Sequence, residues 1–206
     1  MKHDWKKDEK AFYAPKNKPE KVKLSSMKFF SIRGEGNPND AFFAEYIGVL
    51  YALSYAVKMS PKSGNAPVGY VEYSVYPLEG VWDITDEAKQ EPMEMLDKDS
   101  LVFNLMIRQP DFVTAGYAAE TIERVKKKKP HPLLEKVVFE EIEEGECIQM
   151  LHMGSYDNEP ESFAAMEAFV TNQGLVRQSK IHREIYLSDA RKTDSDKLRT
   201  ILRFRV

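Results

Sequence analysis

His182, Glu184 and Tyr186 stand at every second position of the segment KIHREIYLSD, residues 180–189. Such alternation predicts a β-strand with these three on one face and Ile181, Arg183, Ile185 and Leu187 on the other. If the face with Ile181, Ile185 and Leu187 packs on helices, His182, Glu184 and Tyr186 line either a groove or bulk water. A carboxylate set among aromatic rings has its charged form desolvated, which raises its pKa. Such a glutamate can attract a cationic ligand, or act as a general acid or base near neutral pH. A neighbouring tyrosine hydroxyl can donate a hydrogen bond to a developing oxyanion. His182 either orients Glu184 or sits on the rim.

The other strands favour a pocket. In GYVEYSVYPLEGVWD (69–83), Tyr70, Glu72, Ser74 and Tyr76 alternate with Val71, Tyr73 and Val75. That pattern predicts a long strand up to Pro77, with a further extended stretch after Gly80. Phe29 and Phe30 lie on an earlier strand, and Trp82 follows PLEG. A sheet with aromatic rings on both faces is costly to leave in water. Aromatic walls with a few polar groups suit a small molecule. Trp82 fits a core position as well as a pocket wall.

Other chemistries find no support. The sequence contains no G-x-x-x-x-G-K-[ST], no G-x-S-x-G and no H-E-x-x-H. His3, His131, His152 and His182 lack metal-ligand spacing, so no metal site is expected. The run Lys126–Lys129 reads as a solvated helix end.

The elements that must position the candidate site follow from periodicity. Residues 1–25 are Lys-rich with Pro15 and Pro19 and read as a leader with room for one helical turn. Residues 27–36 predict a strand closed by Gly34 and Gly36, and 41–59 a buried helix. A loop at 60–67 and a strand at 100–110 follow. A helix is predicted at 111–129, with Asp111 at its start and Phe112, Ala115, Ala119, Ile122 and Val125 as its apolar stripe. Residues 136–154 read as two strands joined at EEGE. Residues 158–174 read as a helix with Phe163, Met166 and Val170 inward and Gly174 as cap. The last strand spans 197–206.

Each half therefore runs strand, helix, strand, strand, with a glycine ending the first strand (Gly34, Gly154). The expected fold is α+β: an antiparallel sheet with helices on one face and a ligand groove on the other. The half-modules run from about 26 to 110 and from about 135 to 206, linked by the helix at 111–129.

With 206 residues, 42% hydrophobic and 31% charged, the chain reads as a globular domain. A net charge of −3 argues against a nucleic-acid surface. The charged start MKHDWKKDEK is no secretory signal, and no apolar run is long enough to cross a bilayer. The single Cys147 rules out an internal disulfide and points to a reducing cytoplasm.

The segments FFSIRGEGNP, PLEGVW, MIRQPDFVT, CIQMLHMGSYDNEP, HREIYLSD and KLRTILRFRV, in this order, resemble the GyrI-like small-molecule-binding family, and above all its free-standing bacterial branch. The likeness runs from about residue 22 onward. It implies two SHS2-type β-α-β-β modules in pseudo-twofold array with a ligand between them. The family pattern H-x-G-x-Y falls on His152, Gly154 and Tyr156, and E-x-Y on Glu184 and Tyr186. By resemblance Glu184 is the central acid of the pocket, facing cationic aromatic drugs in multidrug-sensing relatives. Some free-standing members are hydrolases of cyclopropanoid DNA-alkylating compounds. The resemblance then implies that Glu184 activates water, that a tyrosine binds the dienone oxygen, and that Trp82 and Tyr156 stack on the drug. No cofactor is implied, and the expected partner is a hydrophobic aromatic small molecule. The remaining binding candidates are Phe30, Tyr70, Glu72, Tyr76, His152 and His182. About 25 residues ahead of the domain are too few for a helix-turn-helix, so direct DNA contact is not expected.

Overall fold

A computed structural model describes residues 2–90 and 97–206. The protein is α+β and divides into two compact units. Unit 1 comprises Met1–His3, Met27–Leu78 and Trp82–Ile142; unit 2 comprises Asp4–Ser26, Glu79–Val81 and Glu143–Val206.

Unit 1 is built on β2 (Met27–Glu35), α3 (Ala41–Lys58), β3 (Leu78–Ile84), β4 (Leu101–Gln109), α4 (Ala115–Lys128) and β5 (Val138–Ile142). Its strands lie in the order β3-β4-β2-β5. β2 pairs antiparallel with β4, Phe30 opposite Ile107, and with β5, Phe30 opposite Phe139. Alternation sends Phe30, Ile32, Leu105 and Ile107 to the face that α3 covers, and all four are buried. On α3 the buried residues are Val49, Leu50, Leu53, Ser54 and Val57, a single face at helical spacing. Complete burial of side chains such as Leu50, Leu53 and Val57 stabilises by about 1.5–3 kcal/mol each. The one hydroxyl among them is satisfied: Ser54 Oγ donates to the Leu50 carbonyl at 2.9 Å and accepts from Gln109 Nε2 at 3.0 Å.

Unit 2 holds α1 (Trp5–Asp8), α2 (Lys10–Tyr13), β1 (Glu20–Leu24), β6 (Gly145–Met153), α5 (Glu159–Asn172), β7 (His182–Tyr186) and β8 (Arg199–Arg205). Its strands lie in the order β1-β6-β8-β7, followed by the middle of β3. In register, Met150 and Glu184 both oppose Leu202, while Gln149 and Arg183 both oppose Arg203. The first row belongs to the face under α5, where Ile148, Met150, Leu202 and Phe204 pack on Met166 and Val170.

The strand-helix-strand-strand order recurs as β2-α3-β3-β4 and β6-α5-β7-β8. Several local expectations change. The segment read as a leader carries α1, α2 and β1, and buries Trp5, Tyr13 and Leu24. Residues 69–77 form no strand beyond an isolated parallel bridge between Tyr73 and His3, so the regular extended segment begins at Leu78. α4 starts at Ala115, because Thr114 and not Asp111 caps it: Thr114 Oγ1 accepts from Tyr117 N at 3.2 Å. Its buried residues are Ala118 and Thr121, out of phase with the expected stripe, and Phe112 packs its ring against Tyr70 in the preceding loop. Gly36 and Gly154 follow the first strands of the repeat with φ of 109° and 123°, a region that disfavours a Cβ. Gly34 lies within β2.

Gly34 is needed for another reason. A Cβ there would meet Phe103 at 2.5 and 2.6 Å and Tyr46 at 2.8 Å. Gly34→Ala is expected to displace both rings and to cost about 1–3 kcal/mol, as overpacked cores do. A near-ultraviolet circular dichroism spectrum matching wild type, with an unchanged melting temperature, would refute this.

Candidate functional site

Glu184 lies in the middle of β7 and is 8% exposed. Its face is the one under α5, contrary to the expectation that Ile181, Ile185 and Leu187 meet the helix. The opposite face is not the apolar one. It carries Arg183 and Arg203, buried and neutralised by Glu79 and Glu144, so alternation of polarity along this strand does not report which side the helix covers. Ile181 precedes the strand and is exposed, while Ile185 is buried.

Around Glu184 the fold gathers residues of β7, the β6–α5 turn and the first turns of α5. His182 Nε2 lies 3.1 Å from Glu184 Oε1, and the His182 ring meets Phe163 edge-on at 4.7 Å. Tyr156 and Tyr186 stand edge to face at 6.1 Å. Glu159, the first residue of α5, is 7% exposed, and its Oε1 is buried with no hydrogen-bond partner. Burial first, then the neighbouring Glu184 and finally Asp157 push the Glu159 carboxyl far above the ordinary carboxylate range. Burial, followed by the charges of Glu184, Glu159 and Asp189, pushes the Tyr156 hydroxyl up to about 12. Both shifts favour the protonated forms of Tyr156 and Glu159.

His152 is buried with both ring nitrogens engaged. Nε2 donates to the Ser155 carbonyl at 3.0 Å, and Nδ1 lies 2.9 Å from Ser162 Oγ. These bonds tie the end of β6 to the turn and to α5, and so hold the turn that carries Tyr156.

The structure thus brings together Glu184, Tyr186, Tyr156, His152 and His182 within unit 2. The other nominated residues lie in unit 1, and they do not form one group there. Phe30 is fully buried against Phe139 at 5.4 Å, a core residue. Tyr70 donates to the Lys58 carbonyl at 2.7 Å and packs on Phe112. Tyr76 is buried, with its hydroxyl 3.3 Å from His3 Nε2 and the Arg108 guanidinium 4.7 Å from its ring. Glu72 is exposed. Trp82 stacks on Phe43 at 5.9 Å and touches Phe103 at 5.7 Å, in a cluster with Phe42 and Tyr46 at the start of α3.

Sequence reasoning missed Glu159, Phe163 and this cluster as a group. Glu159 gives no local signal, since an acid in the first turn of a helix is favourable to the dipole anywhere. Only the pairing of distant strands sets it against Glu184. The partners of Trp82 were legible as apolar residues of a helix and a strand, but not as neighbours of each other.

A surface cavity of about 420 Å³ lies at the other end of α5, lined by Glu167, Val170, Leu175, Arg177 and Lys180. Its two cations already pair with Glu167, at 2.7 and 3.0 Å, so the concentration of unusual chemistry is at Glu184. Among the described residues no group of three His, Cys, Asp or Glu could hold a metal ion, and no helix is long and apolar enough to cross a membrane.

Comparison with known proteins agrees with the fold. A hydrolase from Listeria innocua is 36% identical, with 98% of each chain covered and a TM-score of 0.88. An uncharacterized conserved protein from Listeria innocua is 38% identical, again with 98% of each chain covered and a TM-score of 0.88. The EcmrR C-terminal domain, 12% identical with 91% of this chain and 96% of that one covered, shares the fold at a TM-score of 0.55. No curated protein matches the chain. The profile of the GyrI-like small molecule binding domain matches residues 17–206, so the chain belongs to the GyrI-like small-molecule-binding family.

Proposed function

We propose that the protein is a hydrolase that opens the cyclopropane ring of flat, cyclopropanoid DNA-alkylating compounds and so detoxifies them. The observation that carries the reading is Glu184: a buried carboxyl group in a region that also holds buried Glu159 and two tyrosines, in a position that packing alone would fill with an apolar side chain. The likeness to a Listeria innocua protein named a hydrolase supports a reaction over binding alone.

In this reading Glu184 is the general base. Water attacks the ring CH₂ carbon and gives its proton to Glu184. The strained carbon–carbon bond breaks, and its electron pair passes through the conjugated ring to the dienone oxygen, which becomes a phenolate. The Tyr156 hydroxyl, kept protonated by its surroundings, is the donor suited to that oxygen. The product is the ring-opened alcohol, one water heavier than the substrate. Ring strain and aromatisation supply the driving force.

The test is to incubate purified protein with a cyclopropane-bearing alkylator in ¹⁸O-labelled water and follow the mass of the product. Catalytic appearance of a labelled alcohol on the former ring carbon is expected. Stoichiometric binding with the ligand recovered intact would overturn the reaction and leave a drug-binding module.

A further inference from the structure

The reaction above leaves His182 without a task. A general base works only if its carboxylate is held at one angle, since a misplacement of about 1 Å costs on the order of 10²-fold in rate. His182 Nε2 lies 3.1 Å from Glu184 Oε1. A carboxylate only accepts, so in the ionised state that a base requires, the proton of this bond sits on Nε2. The imidazole is itself held on two sides. Its ring meets Phe163 edge-on with centroids 4.7 Å apart, and its Nδ1 lies 3.4 Å from the Lys180 carbonyl. Both holds lead to Arg177. Residues 175–181, which join α5 to β7, form no helix or strand of their own. A single guanidinium organises them instead. Arg177 Nε donates to the Ser179 carbonyl at 2.7 Å, Nη2 to the Lys180 carbonyl at 2.9 Å and Nη1 to Glu167 Oε1 at 2.7 Å. The same group stands 5.5 Å from the centre of the Phe163 ring and 4.2 Å from that of Phe204. The rigid fork of an arginine suits such a clamp, whereas a lysine ammonium is a point charge that cannot span three acceptors set this way. Glu167, on α5, thus anchors through Arg177 both the carbonyl and the ring that flank His182.

We propose that His182 is the positioning residue of Glu184, and that Arg177, fixed by Glu167, is the clamp that sets His182. The bond from Nε2 engages one carboxylate oxygen and fixes the plane of the group, so that the other oxygen meets the water at the same angle in every turnover. The ion pairs that line the cavity at the other end of α5 then belong to the support of Glu184.

The effect on rate rests on the hydrolase reading, so the test carries a second readout that does not. His182→Phe keeps a ring against Phe163 and loses the donor. It should lower kcat for ring opening by about 10–100-fold, with KM changed by less than about threefold. His182→Gln loses the ring and keeps an N–H donor, and it should recover kcat to within about fivefold of wild type. Arg177→Met should lower kcat by about tenfold, again with KM little changed. Combined with His182→Phe it should add less than about threefold, because both changes break one chain of contacts. If circular dichroism shows that the Met variant does not fold, Arg177→Lys takes its place. Independently of turnover, the ¹H–¹⁵N spectrum of wild type should show a downfield proton on His182 Nε2. It should move upfield in Glu184→Gln, whose amide oxygen is a weaker acceptor than a carboxylate. A His182→Phe variant as fast as wild type, or a His182→Gln variant as slow as His182→Phe, would overturn the positioning role. Losses that multiply in the double variant would overturn the clamp. If wild type opens no cyclopropanoid, the hydrolase reading fails, and the Nε2 proton alone decides the bond between His182 and Glu184: its absence, or its indifference to Glu184→Gln, would overturn that bond.

Discussion

Glu184→Gln is expected to lower ring-opening turnover by about 10²–10⁴-fold, the usual cost of losing a positioned general base. The change is isosteric. The amide oxygen can still face His182 Nε2, 3.1 Å from Oε1 in the wild type. What disappears is the ability to take a proton from water. A neutral flat ligand should therefore bind the variant nearly as well as wild type, and the loss should fall on kcat. The variant should also fold, since it removes a charge from a site that is 8% exposed. Turnover within a factor of three of wild type, measured by mass spectrometry of the opened product, would sink Glu184 as the base. A loss of binding equal to the loss of turnover would make it a ligand contact instead.

Much of this arrangement was legible before the structure. The recurrence of strand, helix, strand, strand shows in the hydrophobic periods, because each element buries one face and advertises its spacing. The candidacy of Glu184 and Tyr186 rests on alternation, which a strand imposes by its pleat. The identity of the buried faces was another matter. Arg183 fell on the face expected to meet the helices, yet it and Arg203 lie on the opposite face, 3% and 2% exposed, because Glu79 and Glu144 reach them from segments far away in sequence. The same long-range pairing placed Glu159 against Glu184 and gathered Phe43, Trp82 and Phe103. Residues 69–77 show the opposite failure. Their aromatic alternation suits a strand, but apart from the bridge at Tyr73 no neighbouring strand offers them a ladder. Their tyrosines serve packing and loop closure: Tyr73 is 1% exposed, and the Tyr70 hydroxyl holds the Lys58 carbonyl.

The face of β7 that carries Glu184 also depends on its reverse side. Arg183→Met is expected to destabilise the protein by about 3–5 kcal/mol, the cost of breaking a buried ion pair from one side. Arg183 bonds Glu79 Oε2 through Nη1 at 2.5 Å and Glu144 Oε1 through Nε at 2.9 Å. Arg203 bonds Glu144 Oε2 at 3.0 Å and also holds Gln149 and the Phe12 carbonyl, which ties the N-terminal segment to the sheet. Two guanidinium groups and two carboxylates balance in this cluster. Without Arg183, Glu79 loses this partner and Glu144 keeps its bond to Arg203. At about 2–4 °C per kcal/mol for a chain of this size, the melting temperature should drop by roughly 6–20 °C. The pH dependence gives a second check. Burial alone would raise the Glu144 carboxyl, but Arg183 and Arg203 outweigh it and hold the group below its usual 4.5. A carboxylate depressed in the folded state adds stability that is complete above its unfolded value and is lost as pH falls through its folded value. The gap between wild type and Arg183→Met should therefore be widest near neutral pH and shrink as pH falls below the usual 4.5 and Glu144 protonates. Replacing the pair together, as Arg183→Met with Glu79→Leu, should recover much of the loss, because an apolar pair of similar volume leaves fewer buried charges unmatched. A single variant that melts within 2 °C of wild type at pH 7 would show that the cluster does not hold β7. In that case the alignment of Glu184 would have to come from the α5 side alone.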